Sequence, residues 1–233
     1  MTRRRVPHFD PVAAQRVEAG SPPLPAVPAD RLRADALRRR MQRPPDWQPE
    51  LRGDPPIDWN ESVPTPASVL IPIVLREPAA TVLLTRRASH LHDHAGQIAF
   101  PGGRQDAEDA SQAHTALREA NEEVGLAPAS IELLGALPPY RTITQYLVTP
   151  FVGLIEPGFT PTPDPFEVAE VFEVPLPFLM DPANHHQRIV PAGPQEKGGR
   201  LFWAMPWVDQ GQEYFIWGAT AAMLRNLYRL LSA

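Results

Sequence analysis

Apolar residues recur along this chain in two patterns, short runs that are typical of strands and spaced positions that are typical of helices. The runs predict strands at Ser68–Leu75, Thr81–Thr85, Ile98–Phe100, Ile131–Leu137 and Leu147–Ile155, and a hairpin over residues 184–203. The spaced positions predict helices at Asp30–Gln42, before Gly125, and at the C-terminus, where Leu224, Leu227, Leu230 and Leu231 form the apolar side. Because Pro72 interrupts the first strand, we expect that strand to lie at a sheet edge or to contain a bulge. Strands on both sides of a helix predict an α+β fold with a mixed sheet between helices.

The central helix lies in the stretch Gln97–Leu126, which also contains a Pro-Gly-Gly turn and an acidic loop. Asp109 or Ser111 can cap its N-terminus, and Gly125 can end it in the left-handed conformation. The apolar stripe that should face the core consists of Ala113, Leu117, Ala120 and Val124.

Three carboxylates should converge on nearly the opposite side of this helix, because Glu119, Glu122 and Glu123 are spaced i, i+3 and i+4. Like charges this close destabilise a helix unless a cation neutralises them, and such oxygen ligands suit Mg2+ or Mn2+. A solvated helix face gives the same pattern, and Arg118 can be an i,i+4 partner of Glu122. The upstream Gly-Gly pair favours a functional site, because backbone without side chains can approach a phosphate closely.

Together these residues resemble the Nudix box. Its second half, Arg-Glu-apolar-x-Glu-Glu-x-Gly-apolar, is matched by the run Arg118–Leu126. Gly103 and Arg118 lie one residue further apart than in the generic box, and Asp109 stands where the box has its first Glu. The resemblance implies a Nudix-type α/β/α sandwich from about Ser68 to the C-terminus, and hydrolysis of a diphosphate.

A second signature lies upstream, in Leu83–Gly103. It resembles the pattern Leu-Leu-Thr-x-Arg-Ser/Ala, followed by Phe-Pro-Gly-Gly, that marks the coenzyme A diphosphatase branch of the family. The matching residues are Leu83, Leu84, Thr85, Arg87, Ala88, Gly96, Phe100, Pro101, Gly102 and Gly103. His92 occupies the position of a second Arg of that pattern. The resemblance implies cleavage of coenzyme A or its thioesters to 3',5'-ADP and 4'-phosphopantetheine or its acyl form.

The resemblance also implies roles for individual residues. Glu119, Glu122 and Glu123 would hold Mg2+ or Mn2+, and Arg118 would orient one of these carboxylates. Glu167 is the preferred general base, with Glu119 as the alternative, because Glu167 lies outside the box in a loop that can close on the substrate. The candidates for substrate binding are Arg86, Arg87, His92, Gly102, Gly103 and Arg104. An ion pair within the fold accounts equally well for Arg86.

Composition narrows the classes of function. The chain has 233 residues, 43% of them hydrophobic, which suffices for one good core. Its formal net charge of -5 makes nucleic acid an unfavourable partner. The absence of cysteine excludes disulfides and thiol chemistry. Neither a signal peptide nor a membrane-spanning run is present in the sequence, so we expect a soluble cytoplasmic protein without a membrane partner. The sequence leaves open whether the protein forms a homodimer.

Prolines divide the chain into two predicted segments. Residues 1–66 are predicted to be a proline-rich N-terminal extension with a short basic helix, and residues 67–233 the Nudix hydrolase domain. We therefore expect a chain that begins near Asp58 to fold and to hydrolyse its substrate.

Two alternatives to a coenzyme A diphosphatase stay open. The same chemistry can act on ADP-ribose, a dinucleotide or a nucleoside triphosphate. A non-catalytic Nudix-fold sensor of nucleotides is the other alternative, although a pure binder does not need three clustered carboxylates.

Overall fold

The computed structural model describes residues 10–17, 24–54, 63–90, 96–190 and 199–233. The helices in these residues are α1 (Ala34–Gln42), α2 (Gln112–Val124), α3 (Leu176–Leu179) and α4 (Gly218–Ser232). The strands are β1 (Gln15–Arg16), β2 (Thr65–Val74), β3 (Thr81–Arg87), β4 (Ile98–Ala99), β5 (Gly102–Arg104), β6 (Ile131–Ala136), β7 (Tyr140–Arg141), β8 (Tyr146–Ile155), β9 (Val168–Pro175), β10 (His186–Val190), β11 (Arg200–Asp209) and β12 (Gln212–Trp217).

The strands form two sheets. The larger has eight strands, in the order β4-β3-β2-β8-β6, with β5 paired to β2, β7 to β8 and β9 to β3. It is mixed, as predicted, because β2 and β8 run parallel while the other pairs are antiparallel. The smaller sheet is antiparallel, in the order β1-β10-β11-β12. The hairpin predicted over residues 184–203 is its β10-β11 pair, and residues 191–198 between the strands lie outside the described residues.

Helices cover both faces of the larger sheet, because successive side chains of a strand point to opposite faces. One face packs on α2 through Leu70, Val74 and Leu83. The sequence neighbours of these residues point to the other face and belong to a second apolar cluster, which also contains buried residues of α4. They are Ile71, Ile73, Val82 and Leu84. The predicted α/β/α sandwich is therefore confirmed.

The prediction for Pro72 is wrong, because β2 is an interior strand. Alternate residues of a strand direct their N–H groups to opposite neighbours. Leu70 directs its N–H away from β8, to the carbonyl of Pro101, and Pro72 has the same orientation. The N–H that Pro72 lacks would point between β5, which pairs with β2 up to Val69, and β3, which starts to pair at Ile73. None of the described strands is opposite Pro72 on this side, so the proline removes no bond of the described sheet.

Local signals place both ends of α2 correctly. The hydroxyl of Ser111 accepts a hydrogen bond from the N–H of His114 at 3.1 Å, and Gly125 ends the helix with φ of 70°. The core-facing stripe differs from the predicted one. Ala116, Ala120 and Val124 are fully buried, whereas Ala113 and Leu117 are only partly buried.

The N-terminal segment 24–54 packs onto α4. Val27, Leu32 and Leu37 belong to the same apolar cluster as the residues of α4. The side-chain amide of Asn226 bonds to the backbone of Leu51 in both directions, at 3.0 and 2.7 Å. This cover explains why α4 is buried nearly all round, although the sequence predicted an amphipathic helix.

Candidate active site

Arg118 connects the acidic loop to the carboxylates of α2. Both oxygens of Asp109 accept hydrogen bonds from its guanidinium at 3.0 Å. The same guanidinium reaches Glu122 at 2.8 Å and Glu119 at 3.0 Å. It also donates to the backbone carbonyl of Arg104 at 3.3 Å. A planar guanidinium with five donors suits such a junction, because it fixes several acceptors in one geometry.

The Gly-Gly pair lies between β2 and α2, where no side chain fits. A Cβ on Gly102 would lie 2.5 Å from the carbonyl oxygen of Ser68. A Cβ on Gly103 would overlap the carboxylate of Glu119. The close approach of β5 to β2 therefore requires glycine at position 102, and the missing side chain of Gly103 leaves room for the carboxylate of Glu119.

Glu123 is a buried carboxylate, only 3% exposed. Burial raises its pKa to about 8, and the negative charges of Glu119 and Glu167 act in the same direction. Arg87 opposes this effect, with its guanidinium 4.0 Å from the carboxylate. The backbone N–H of Gly102 also acts to lower the pKa of Glu123. Burial likewise raises the pKa of Glu119, which Arg118 opposes.

Glu167 lies directly before β9, in a loop that is fixed to α2 and β3. Its carbonyl accepts a hydrogen bond from the N–H of Ala88 at 2.9 Å. Asp164, in the same loop, donates its N–H to the carbonyl of Glu123 at 3.0 Å. Glu167 is exposed, and its charge raises the pKa of both Glu119 and Glu123. Three carboxylates from two segments thus share one electrostatic environment.

Sequence comparisons identify the family. Residues 64–192 match the NUDIX domain family. The Escherichia coli (strain K12) protein described as uncharacterized Nudix hydrolase NudL is 44% identical over 161 residues, which cover 69% of this chain and 80% of that protein. NudL of Enterobacter sp. (strain 638) gives the same values. This chain belongs to the Nudix hydrolase family.

Solved Nudix structures resemble parts of the chain. The Nudix hydrolase RenU of M. smegmatis has a TM-score of 0.42 and 24% identity, over 48% of this chain and 71% of that chain. A MutT/nudix family protein of Enterococcus faecalis has a TM-score of 0.45 and 15% identity, over 73% of this chain and 63% of that chain. The family assignment rests on the domain match and on the identity with NudL. The matched range begins near the predicted boundary at residue 66, and the separation into two segments stays a prediction.

The side chains of the Nudix box fit a divalent cation by their chemistry. Nudix hydrolases generally use cations such as Mg2+ or Mn2+. Glu119 and Glu123 offer carboxylate oxygens as metal ligands. Their negative charges repel one another and are partly removed from water, and a bound cation would offset both of these costs. Within the described ranges, no three His, Cys, Asp or Glu side chains are already arranged to hold a metal ion. In particular, the carboxylate of Glu122 is 57% exposed and is paired with Arg118.

The predicted substrate-binding residues fall into three groups. Arg87 faces Glu123, and Gly102 and Gly103 lie against β2 and α2, so these three adjoin the carboxylates. Arg104 is largely exposed, with its guanidinium 3.9 Å from Asp106. His92 lies outside the described residues.

Arg86 forms an ion pair within the fold, which is the alternative to substrate binding that the sequence left open. Its Nε donates to Glu170 at 3.0 Å, and its guanidinium lies 5.2 Å from the ring centroid of Tyr214. The hydroxyl of Tyr214 donates to the same carboxylate at 2.7 Å. Arg86 is thus part of an ion-pair network that joins β3, β9 and β12.

Sequence reasoning missed the role of Asp109 in holding Arg118. It identified Asp109 only as a candidate helix cap and as a substitute for the first Glu of the box. That substitution was the available signal, because an acidic residue at this position of the motif can pair with the guanidinium of Arg118. No described helix is long and apolar enough to cross a membrane.

Proposed function

We propose that this Nudix hydrolase cleaves the diphosphate of coenzyme A or its thioesters, with Mg2+ or Mn2+. The products would be 3',5'-ADP and 4'-phosphopantetheine, or the acyl form of the latter. The observation that carries the diphosphatase chemistry is the buried carboxylate of Glu123, which lies 4.0 Å from Arg87 and interacts with Glu119 and with the backbone of Gly102. Buried carboxylates beside a guanidinium can form a site for a cation and a phosphate.

Each residue has a distinct task in this proposal. Glu119, Glu122 and Glu123 would hold the cation, which supplies positive charge that offsets the diphosphate oxygens and lowers the pKa of water. Arg118 keeps Glu119 oriented and is itself held by Asp109. Glu122 also contacts Arg118 and would have to turn from it to reach the cation.

The reaction adds one water molecule to the diphosphate. The oxygen of water attacks one phosphorus, and the bond from this phosphorus to the bridging oxygen breaks. Glu167 accepts the proton of the attacking water, because it is the exposed carboxylate of the cluster and lies on a loop outside the helix. Arg87 would neutralise charge on a phosphate oxygen, and its guanidinium, 4.0 Å from the carboxylate of Glu123, supports this role.

The upstream signature supports coenzyme A as the substrate. Its first residues, Leu83 and Leu84, are fully buried in β3 and orient the end of that strand. Arg87 follows on the same strand and contacts Glu123, and the closing Gly-Gly pair forms β5 beside Glu119. The signature thus joins the parts of the chain that meet at the Nudix box.

A panel of substrates tests this assignment. The full chain would be assayed with Mg2+ and with Mn2+ on coenzyme A, acetyl-coenzyme A, ADP-ribose, diadenosine tetraphosphate and ATP, with product analysis for each. The proposal predicts the highest kcat/KM for coenzyme A or its thioester. Preferential hydrolysis of ADP-ribose, of the dinucleotide or of ATP would overturn the substrate assignment and keep the chemistry. Binding without hydrolysis of any of them would favour the nucleotide sensor.

A further inference from the structure

Phe166 is an exposed aromatic residue beside the candidate general base. Its side chain is 75% exposed, and no other aromatic residue in the described ranges is among the exposed large hydrophobic residues. A single exposed apolar side chain is common on protein surfaces and by itself implies nothing. Two further observations indicate a function for Phe166: its backbone is held by hydrogen bonds, and it directly precedes Glu167.

The loop that carries Phe166 is fixed at both ends. The N–H of Thr162 donates to the carbonyl of Val124 at 2.9 Å, and the N–H of Asp164 donates to that of Glu123 at 3.0 Å. Both bonds tie the loop to the last turn of α2. At its other end, the carbonyl of Glu167 is held by Ala88.

The tip of the loop is ordered by Asp164. Its carboxylate accepts a hydrogen bond from the N–H of Phe166 at 2.9 Å, and its carbonyl accepts from the N–H of Val168 at 2.8 Å. The backbone of Phe166 is therefore held in one conformation while its ring remains in water. An aromatic residue that is ordered before binding loses little conformational entropy when it contacts a ligand.

Phe166 directly precedes Glu167, and their loop is bonded to the carbonyl of Glu123 through Asp164. The next residue, Glu167, interacts electrostatically with Glu119 and Glu123, so the loop tip borders the place where a diphosphate would be cleaved.

We infer that Phe166 stacks on the nucleobase of the substrate and holds the nucleoside half while the diphosphate lies over the carboxylates. This inference rests on the proposed function. A flat apolar ring matches a nucleobase, since each base presents an aromatic face, whereas the pantetheine arm is a flexible chain without a ring. Phe has no polar side-chain atom, so the contact adds affinity for a base without selecting among bases.

The test compares inhibition by the two product halves in the full chain. The inhibition constants of 3',5'-ADP and of 4'-phosphopantetheine would be measured for the wild type, Phe166→Ala and Phe166→Trp. Val208→Ala is the matched control, because Val208 is also exposed but lies at the end of β11. KM and kcat for coenzyme A would be measured in parallel.

Stacking predicts a selective loss of affinity. Phe166→Ala should weaken the binding of 3',5'-ADP by about tenfold, which corresponds to about 1.4 kcal/mol, and should raise KM for coenzyme A by a similar factor. Inhibition by 4'-phosphopantetheine and kcat should change little. Phe166→Trp should restore or strengthen the binding of 3',5'-ADP, and Val208→Ala should match the wild type.

Two outcomes would overturn the inference. Equal weakening of both product halves, or a loss confined to kcat, would mean that Phe166 only positions Glu167. Unchanged constants would mean that the ring does not contact the nucleoside.

Failure of the substrate assignment would be recognised separately, as an absence of coenzyme A cleavage by the wild type. If ADP-ribose is the substrate, the same comparison uses AMP and ribose 5-phosphate as the product halves. Phe166→Ala should then weaken AMP and not ribose 5-phosphate, and equal effects on the two would overturn the stacking.

Discussion

The carboxylate of Asp109 binds the guanidinium of Arg118 through two hydrogen bonds, each 3.0 Å long. The same carboxylate accepts hydrogen bonds from the hydroxyl of Thr115 at 2.9 Å and from the N–H of Asp106 at 3.0 Å. Asp109 thus fixes Arg118, and Arg118 in turn contacts Glu119 and Glu122. The residue that replaces the first Glu of the Nudix box is therefore a positioning residue for the carboxylates.

Asp109→Asn should destabilise the fold and lower turnover. The variant keeps the shape but loses the charge opposite Arg118, so we expect the free energy of unfolding to fall by about 2–3 kcal/mol. Denaturant unfolding at pH 7 measures this change. Asp106→Asn is the control, because Asp106 is half exposed and 3.6 Å from Arg118, which limits its effect to about 1 kcal/mol or less. Equal effects of the two substitutions would contradict the role of Asp109.

The pair also predicts how stability depends on pH. Arg118 holds the pKa of Asp109 well below its usual range. The stabilisation is therefore fully present above the unfolded-state pKa of about 3.9 and is lost as pH falls through the lower folded-state pKa. Unfolding measured from pH 7 to pH 3 should show a steeper acid loss for the wild type than for Asp109→Asn. Parallel curves would assign the acid sensitivity to other groups.

Glu167→Gln should reduce kcat by about a hundredfold to ten-thousandfold, the range observed for loss of a general base. Glu170→Gln should retain near-normal turnover, since Glu170 of β9 is engaged by Arg86 of β3 and Tyr214 of β12. If Glu170→Gln is the slower variant, Glu170 and not Glu167 takes the proton.

Leu37→Ala should destabilise the protein even though Leu37 lies in the N-terminal extension. Its side chain is 1% exposed in the core cluster, so we expect a loss of about 2–4 kcal/mol in the free energy of unfolding. Leu24→Ala, at a position 38% exposed, should cost about 0.5 kcal/mol or less. The same packing argues against the expectation, drawn from the sequence, that a chain beginning near Asp58 folds. Without residues 24–54 the apolar surface of α4 would be exposed, so we expect such a chain to unfold or aggregate. A stable, active chain of that length would contradict the packing on α4.

The sequence predicted elements whose signals are local. Ser111 and Gly125 marked the ends of α2, because capping depends on residues within one turn. The apolar runs located β3 and β8 closely, since buried strands are apolar on both faces.

Elements that depend on distant partners were missed. No strand was predicted over β9, because β9 pairs with β3 some 90 residues earlier, as in Leu83 opposite Glu173. The interior position of Pro72 depends on where β5 and β3 meet β2, which no local pattern specifies. The burial of Arg225 and Asn226 on α4 required the N-terminal segment, whose Glu50 and Leu51 provide their partners.

The sequence identified the carboxylates of the site but did not predict that they differ in burial. The helical spacing placed Glu122 and Glu123 equally near the cation. The structure buries Glu123 under β5 and leaves Glu122 exposed to solvent and to Arg118. The difference follows from the position of the Gly-Gly pair, which lies on a neighbouring strand and not on the helix.

The turnover of Glu123→Gln in Mg2+ tests the central claim most directly, with Glu122→Gln as the matched variant on the same helix. We expect Glu123→Gln to lower kcat by at least about a hundredfold, the scale of losing an electrostatic stabiliser of the transition state. Its fold should persist, because Gln has nearly the same volume and no charge to bury, and Glu122→Gln should lose less. Near-normal turnover of Glu123→Gln would contradict a diphosphatase site at this carboxylate cluster.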